Sequence, residues 1–181
     1  NTFATFPFAD ASMIEDPETG IITVNTSIAP GRDESAFLHA LFTAVTRPSL
    51  PLAPGVIIRA AATSGAGAGK GLLTRCIAIL AFGHEPHAMT GGSNTEELDK
   101  RIGGELMTGR PVLFLDNLNG MTIKSDMLAS ILTESKASHR PLGTSRIVEL
   151  NTTAFVVLTG NGVNVAGDHA RRYMYVELDP R

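Results

Sequence analysis

"GVIIRAAATSGAGAGKGLL", residues 55–73, is the stretch on which the fold turns. Its first half is a run of β-branched and small apolar residues, the composition of a strand buried on both faces of a parallel sheet. Its middle is rich in glycine and its end is apolar, so it predicts strand, tight turn and helix in direct succession. Glycines 65, 67 and 69 allow consecutive backbone N–H groups to turn inward at the positive end of that helix, and Lys70 adds a cation beside them. Such a nest suits phosphate, and Ser64, Gly65, Ala66, Gly67, Ala68, Gly69, Lys70, Gly71 and Leu72 form the candidate nucleotide-binding set. The familiar pattern for this chemistry is GxxxxGK[ST]. Here Ser64 stands at its first glycine and Gly71 at its final hydroxyl, so a usual magnesium ligand is absent and water or a carboxylate must replace it. The plain alternative is a glycine–alanine turn that holds no ligand.

Outward from this stretch, short apolar runs alternate with helical segments. Besides 55–62, strands are predicted over 86–91, 111–116, 154–160 and 173–178. Helices are predicted over 70–82, 95–109 and 125–135, with Thr95 capping the second and Ser125 and Asp126 opening the third. Right-handed crossovers place such helices on both faces of one sheet. The expected fold is therefore α/β and three-layered, with a central, mostly parallel five-stranded sheet over residues 54–181. Residues 1–53 read as an N-terminal addition: 20–28 alternates like a strand, and 33–45 has helical spacing behind Asp33 as a cap.

The totals agree with an ordinary globular chain. With 181 residues, 43% hydrophobic and 18% charged, one domain with a real core is expected. A net charge of −3 announces neither nucleic acid nor membrane, so any basic surface must be local. The longest apolar run, Cys76 to Phe82, is far short of a bilayer span, and no secretory pattern opens the chain, so a cytoplasmic location is the default expectation. The lone Cys76 forms no internal disulfide and reads as core packing. The missing initiator methionine and the abrupt end at Arg181 suggest a domain of a longer protein. His84 and His87 flank Pro86 without a third ligand at a recognisable spacing, so zinc is not expected.

Three further elements carry candidate chemistry. "PVLFLDN" ends a strand on Asp116, suited to hold Mg²⁺ or its waters, but follows it with Asn117, whose amide accepts no proton. A general base must then come from elsewhere, with Glu96 or Glu97 as candidates and helix-start solubility as their plainer reading. "FVVLTGNG" presents Thr159 and Asn161 at a strand's carboxyl end, where ligands of open parallel sheets sit, so Asn161 is placed to orient a water unless it merely forms an Asn-Gly turn. "GDHARRYMYVEL" sets Arg171 and Arg172 before the last strand, with Asp168 as a cap, either as a solvated or salt-bridged pair or as an arginine finger acting in trans.

Taken in order, "SGAGAGKGLL", "EELDKRI", "PVLFLDN", "LTGNGV" and "GDHARR" resemble the AAA+ class of phosphate-loop ATPases over Pro54 to Leu178. More narrowly they resemble the helicase or primase-associated ATPase domains of phages, plasmids and integrated mobile elements, among which loops ending in GKG do occur. The resemblance implies ATP and Mg²⁺ as ligands, Lys70 on phosphate, Asp116 on the metal, Asn161 as sensor and Arg171 or Arg172 as finger. It also implies a hexameric ring that works on nucleic acid, with single-stranded DNA in its channel. A channel hairpin is expected between the acid-bearing and sensor strands, where Lys136, His139, Arg140 and Arg146 cluster around a Pro/Gly turn; an ordinary exposed loop is the alternative. An ATP-dependent assembly or switch module with poor turnover is the second functional expectation, and a small-molecule kinase the third.

Overall fold

The structure, a computed structural model, describes residues 3–64, 67–91, 94–141 and 145–180. A small hairpin of β1 (Met13–Glu15) and β2 (Ile22–Val24) leads to helix α1 (Arg32–Thr46). Then β3 (Gly55–Ala60) runs through the glycine-rich turn into α2 (Lys70–Phe82), followed by β4 (Ala88–Thr90), α3 (Thr95–Met107) and β5 (Val112–Asp116). The two-residue β6 (Thr122–Ile123) and helix α4 (Asp126–Ile131) precede an antiparallel hairpin, β7 (Lys136–His139) and β8 (Val148–Asn151). The chain closes through β9 (Phe155–Asn161), β10 (Asn164–Val165), a 3₁₀ turn over Gly167–Arg172 and β11 (Tyr173–Leu178).

Five strands form one sheet in the order β11-β3-β9-β5-β4, and every neighbouring pair is parallel. Alternation along the strands divides the core in two. Ile57, Leu113, Leu115, Val156 and Leu158 face α3 and α4, packing on Leu98, Ile102, Leu128 and Ile131. Val56, Ile58, Phe114, Phe155 and Val157 face α1 and α2, packing on Phe37, Ala40, Leu73 and Ile77. Helices thus cover both faces. The N-terminal residues share this second core: Phe8 is 2% exposed and bridges Leu178 on the edge strand. Arg47, also buried, donates to the carbonyls of Leu50, Thr152 and Ala154 and ties the end of α1 to the approach to β9.

The expected strands all form, though 86–91 shrinks to Ala88–Thr90, and the third helix stops at Ile131 because Thr133 and Glu134 turn back onto the Ser130 carbonyl. Three cap assignments are corrected. Asp33 lies inside α1, buried, accepting the Glu177 N–H at 3.1 Å, while the first amide of the helix, Arg32 N–H, donates to Asp10 at 2.5 Å. Asn94 caps α3 in place of Thr95, accepting from Glu97 N–H. Asp168 caps nothing; it pairs with Arg171 and Arg172. Ser125 caps α4 as expected, accepting from Leu128 N–H at 3.0 Å.

The β7–β8 hairpin, packed on α3 and α4 through Ala137 and Leu150, approaches α3 most tightly where His139 meets Gly103. A Cβ on Gly103 would lie 2.1 Å from His139 Nδ1, whereas one on Gly104 would meet nothing within 4 Å. Adjacent glycines should therefore answer alanine with opposite signs. Gly103→Ala is expected to lose about 2 kcal/mol by overpacking and to expose the hairpin to hydrogen exchange. Gly104→Ala, on the exposed helix surface, is expected to gain about 0.8 kcal/mol from helix propensity. Equal shifts in the two thermal melts would contradict this packing.

Candidate functional site

The carboxyl ends of β3, β9 and β5 converge on a cleft of about 490 Å³ lined by Gly67–Leu72, Asp116, Asn117, Asn119 and Asn161. Its floor is the start of α2. Gly67 and Gly69 hold left-handed φ values of +102° and +87°, which a side chain would strain, and no side chain caps the helix. Among the described residues the N–H groups of its first turn therefore lack a side-chain acceptor, which suits an anion. A Cβ at Gly71 would meet nothing within 4 Å, so crowding does not explain the missing hydroxyl. Gly65 and Ala66 lie outside the described residues.

Because β9 lies between β3 and β5, Asn161 at its end stands between the turn and Asp116. Lys70 Nζ donates to Asn161 Oδ1 at 2.5 Å, and Asn161 Nδ2 donates to the Ser64 carbonyl at 2.5 Å. Burial holds the Lys70 ammonium below the usual lysine pKa, and the nearby Asp116 carboxylate opposes that shift. Asp116 Oδ1 accepts from the buried Thr159 hydroxyl and from Asn117 N–H at 2.9 Å. Asp116 Oδ2 takes no hydrogen bond of its own among the described residues.

The sequence reading missed the backing of this site. Asn119 Oδ1 accepts from Asn161 N–H at 2.7 Å, and Asn119 Nδ2 donates to Asn117 Oδ1 at 2.6 Å, so three asparagines brace one another behind the lysine. Asn117 carries φ +62°, a conformation asparagine tolerates, and this turns residues 117–120 back over the end of β9. Leu118 N–H then donates to the Thr159 carbonyl and Gly120 N–H to that of Asn161. Asn-x-Asn after the strand was the available signal.

Other candidates stand apart from the cleft. Glu96 pairs with Lys100, which lowers its carboxyl pKa, the wrong direction for a base poised near neutrality; Glu97 pairs with Arg101 at 2.5 Å. Arg171 and Arg172 precede β11, whose Tyr173 registers with Gly55 at the far end of β3. That is roughly 15–20 Å along the strand from the glycine-rich turn. Arg171 is exposed and pairs with Asp168 at 3.0 Å, whereas Arg172 is anchored on the Ala129 carbonyl at 3.0 Å. On the hairpin, Lys136 pairs with Glu149 at 2.9 Å and His139 is buried against α3, so its ring is withdrawn from the expected basic surface. Arg140 and Arg146 are exposed near the tip, where 142–144 lie outside the described residues.

Fold and cleft define an α/β chain with a five-stranded all-parallel sheet and a polar site at the carboxyl ends of its strands. No family model matches the chain, and no curated protein matches it. Among the described residues no helix is long and apolar enough to cross a membrane, and no group of three or more His, Cys, Asp or Glu could hold a metal ion. A cation here would need oxygens from a ligand or water beside Asp116.

Proposed function

We propose that this chain is an ATP-binding and hydrolysing domain of the AAA+ kind, acting on nucleic acid within a ring. The observation that carries the reading is the meeting of Lys70, Asn161 and Asp116 in one cleft, with Lys70 and Asn161 in hydrogen-bond contact across 91 residues of sequence. Lys70 and the first-turn amides of α2 bind the phosphates; Asn161, braced by Asn119, orients a water beside the terminal phosphate; Asp116 and its Thr159 support fit a hydrated Mg²⁺. Magnesium would supply neutralisation of phosphate charge. Arg171 stands too far from the cleft of its own subunit and is exposed, so it serves the neighbour's cleft. Arg140 and Arg146 on the hairpin would meet the backbone of single-stranded DNA.

A second reading, an ATP-dependent switch with poor turnover, is favoured by Gly71 and Asn117 and, among the described residues, by Asp116 being the one carboxylate that lines the cleft. Hydrolysis measured with and without single-stranded DNA separates the two. Stimulation by DNA supports the motor; saturable binding with no turnover supports the switch. Mixing Arg171→Ala, which keeps an intact cleft, with Lys70→Ala, which keeps an intact finger, is expected to recover roughly a quarter of wild-type activity through mixed interfaces, and no recovery would rule out a finger in trans.

A further inference from the structure

Residues 3–9 are not part of the cleft lining, yet Phe6 among them lies beside the glycine-rich turn. Ala9 N–H donates to the Glu177 carbonyl at 2.9 Å and Asp179 N–H to that of Pro7 at 2.8 Å, with Phe8 bridging Leu178 in antiparallel sense. The segment therefore runs along the outer edge of β11, and its direction carries Phe6 past the carboxyl end of that strand. There Phe6 meets the turn: a Cβ on Gly69 would lie 3.1 Å from Phe6 Cε1. Its position is held by Phe6 N–H donating to the Phe3 carbonyl at 3.0 Å and by ring contacts at 6.4 Å to Phe3 and Phe8. Those two rings pack on Phe37 of α1 at 4.8 and 5.9 Å. Phe8 and Phe37 are buried, but Phe6 keeps part of its surface open.

Sheet order gives the cleft a direction. Lys70, Asn161 and Asp116 mark the side of β9 and β5, while β11 lies on the opposite side of β3. A nucleotide whose terminal phosphate sits by Asn161 carries its base out on the other side. On that side stands Phe6, half-buried beside Gly69, while Leu72, which lines the cleft, is 53% exposed. We infer that Phe6 is the platform on which the nucleotide base stacks, so that the N-terminal segment completes the nucleotide site. The inference rests on the ATP-binding reading above, which it extends to the residue that distinguishes a nucleoside triphosphate from a bare polyphosphate.

Titration calorimetry in Mg²⁺ with two probes, ATP and inorganic tripolyphosphate, tests it on wild type, Phe6→Ala and Phe6→Tyr. Loss of one aromatic–base stack should weaken ATP binding by about 10-fold or more in Phe6→Ala, with tripolyphosphate unchanged within a factor of about two. Phe6→Tyr, which keeps the ring, should bind ATP as wild type does. Equal ATP binding by wild type and Phe6→Ala would overturn the inference, as would parallel weakening of both probes, which makes Phe6 a prop for the turn. Wild type that binds tripolyphosphate as tightly as ATP leaves the phosphate site standing and removes the base platform. Wild type that binds neither probe overturns the phosphate site and the platform together.

Discussion

Lys70→Ala is expected to weaken ATP binding by about 100-fold, the worth of two charge-assisted bonds to phosphate, while leaving the fold intact. The separation of the two effects follows from the environment of the ammonium group. It is partly withdrawn from water and, among the described residues, donates only to the neutral Asn161 Oδ1, so its pKa lies below the usual lysine value. In the empty protein the folded chain therefore releases this proton at a lower pH than the unfolded chain. The charged form costs stability at neutral pH, and that cost fades as pH rises toward the unfolded value of 10.5. Removing the side chain should leave thermal stability unchanged or slightly raised at pH 7. Phosphate binding has the opposite sign, because it requires the cation. Wild-type affinity should fall as pH rises through the lowered Lys70 pKa, with proton uptake on binding, and the alanine variant should lack that fall. Titrations between neutral and alkaline pH in buffers of different ionisation enthalpy measure both. Wild-type affinity that is flat over this range would detach Lys70 from the ligand.

The parts of this arrangement that depend on local rules were legible in the amino-acid order. Consecutive β-branched residues, a glycine turn and an apolar helix each follow from their own neighbours, and β3, α2 and β11 form where those rules put them. What stayed hidden depends on which strand lies beside which. Thr159 and Asp116 are 43 residues apart and touch because β9 and β5 are adjacent. The Asp10 carboxylate reaches the start of α1 from 22 residues upstream, so Asp33 looked like the cap. Glu177 explains what Asp33 does instead, since its N–H, on the outer edge of β11, takes the acceptor that Asp33 supplies. Similarly, His139 resembled a member of a basic tip until Gly103 of α3 gave its ring a place to be buried. In each instance an unpaired group or a gap on one element was filled by a distant residue whose local context gave no sign of it.

Gly160→Ala should damage fold and turnover together while sparing phosphate binding. Gly160 is buried near the end of β9, where residues 117–120 cross it, and a Cβ there would lie 2.8 Å from both the carbonyl carbon and oxygen of Leu118. The obstacle is backbone, which cannot rotate aside as a side chain can. Asn117 in its left-handed conformation fixes where the crossing segment begins, so the added methyl must push that segment off the strand. The bonds at risk are Leu118 N–H to Thr159 at 2.9 Å, Gly120 N–H to Asn161 at 2.8 Å and Asn161 N–H to Asn119 at 2.7 Å. Overpacking with partial loss of these bonds should cost about 3 kcal/mol, a fall of roughly 10 °C in Tm for a chain of this length. The amides of α2 and Lys70 belong to β3 and its helix, so phosphate affinity should change only about threefold. Asn161 and Asp116, which must be held against each other across the crossing segment, would shift by a fraction of an ångström to an ångström, and turnover should drop about 100-fold. That split between binding and turnover is the signature to look for. If affinity and turnover fell in proportion, the crossing segment would be supporting the glycine turn itself, and the asparagines would not form a separate brace for the reacting end of the cleft.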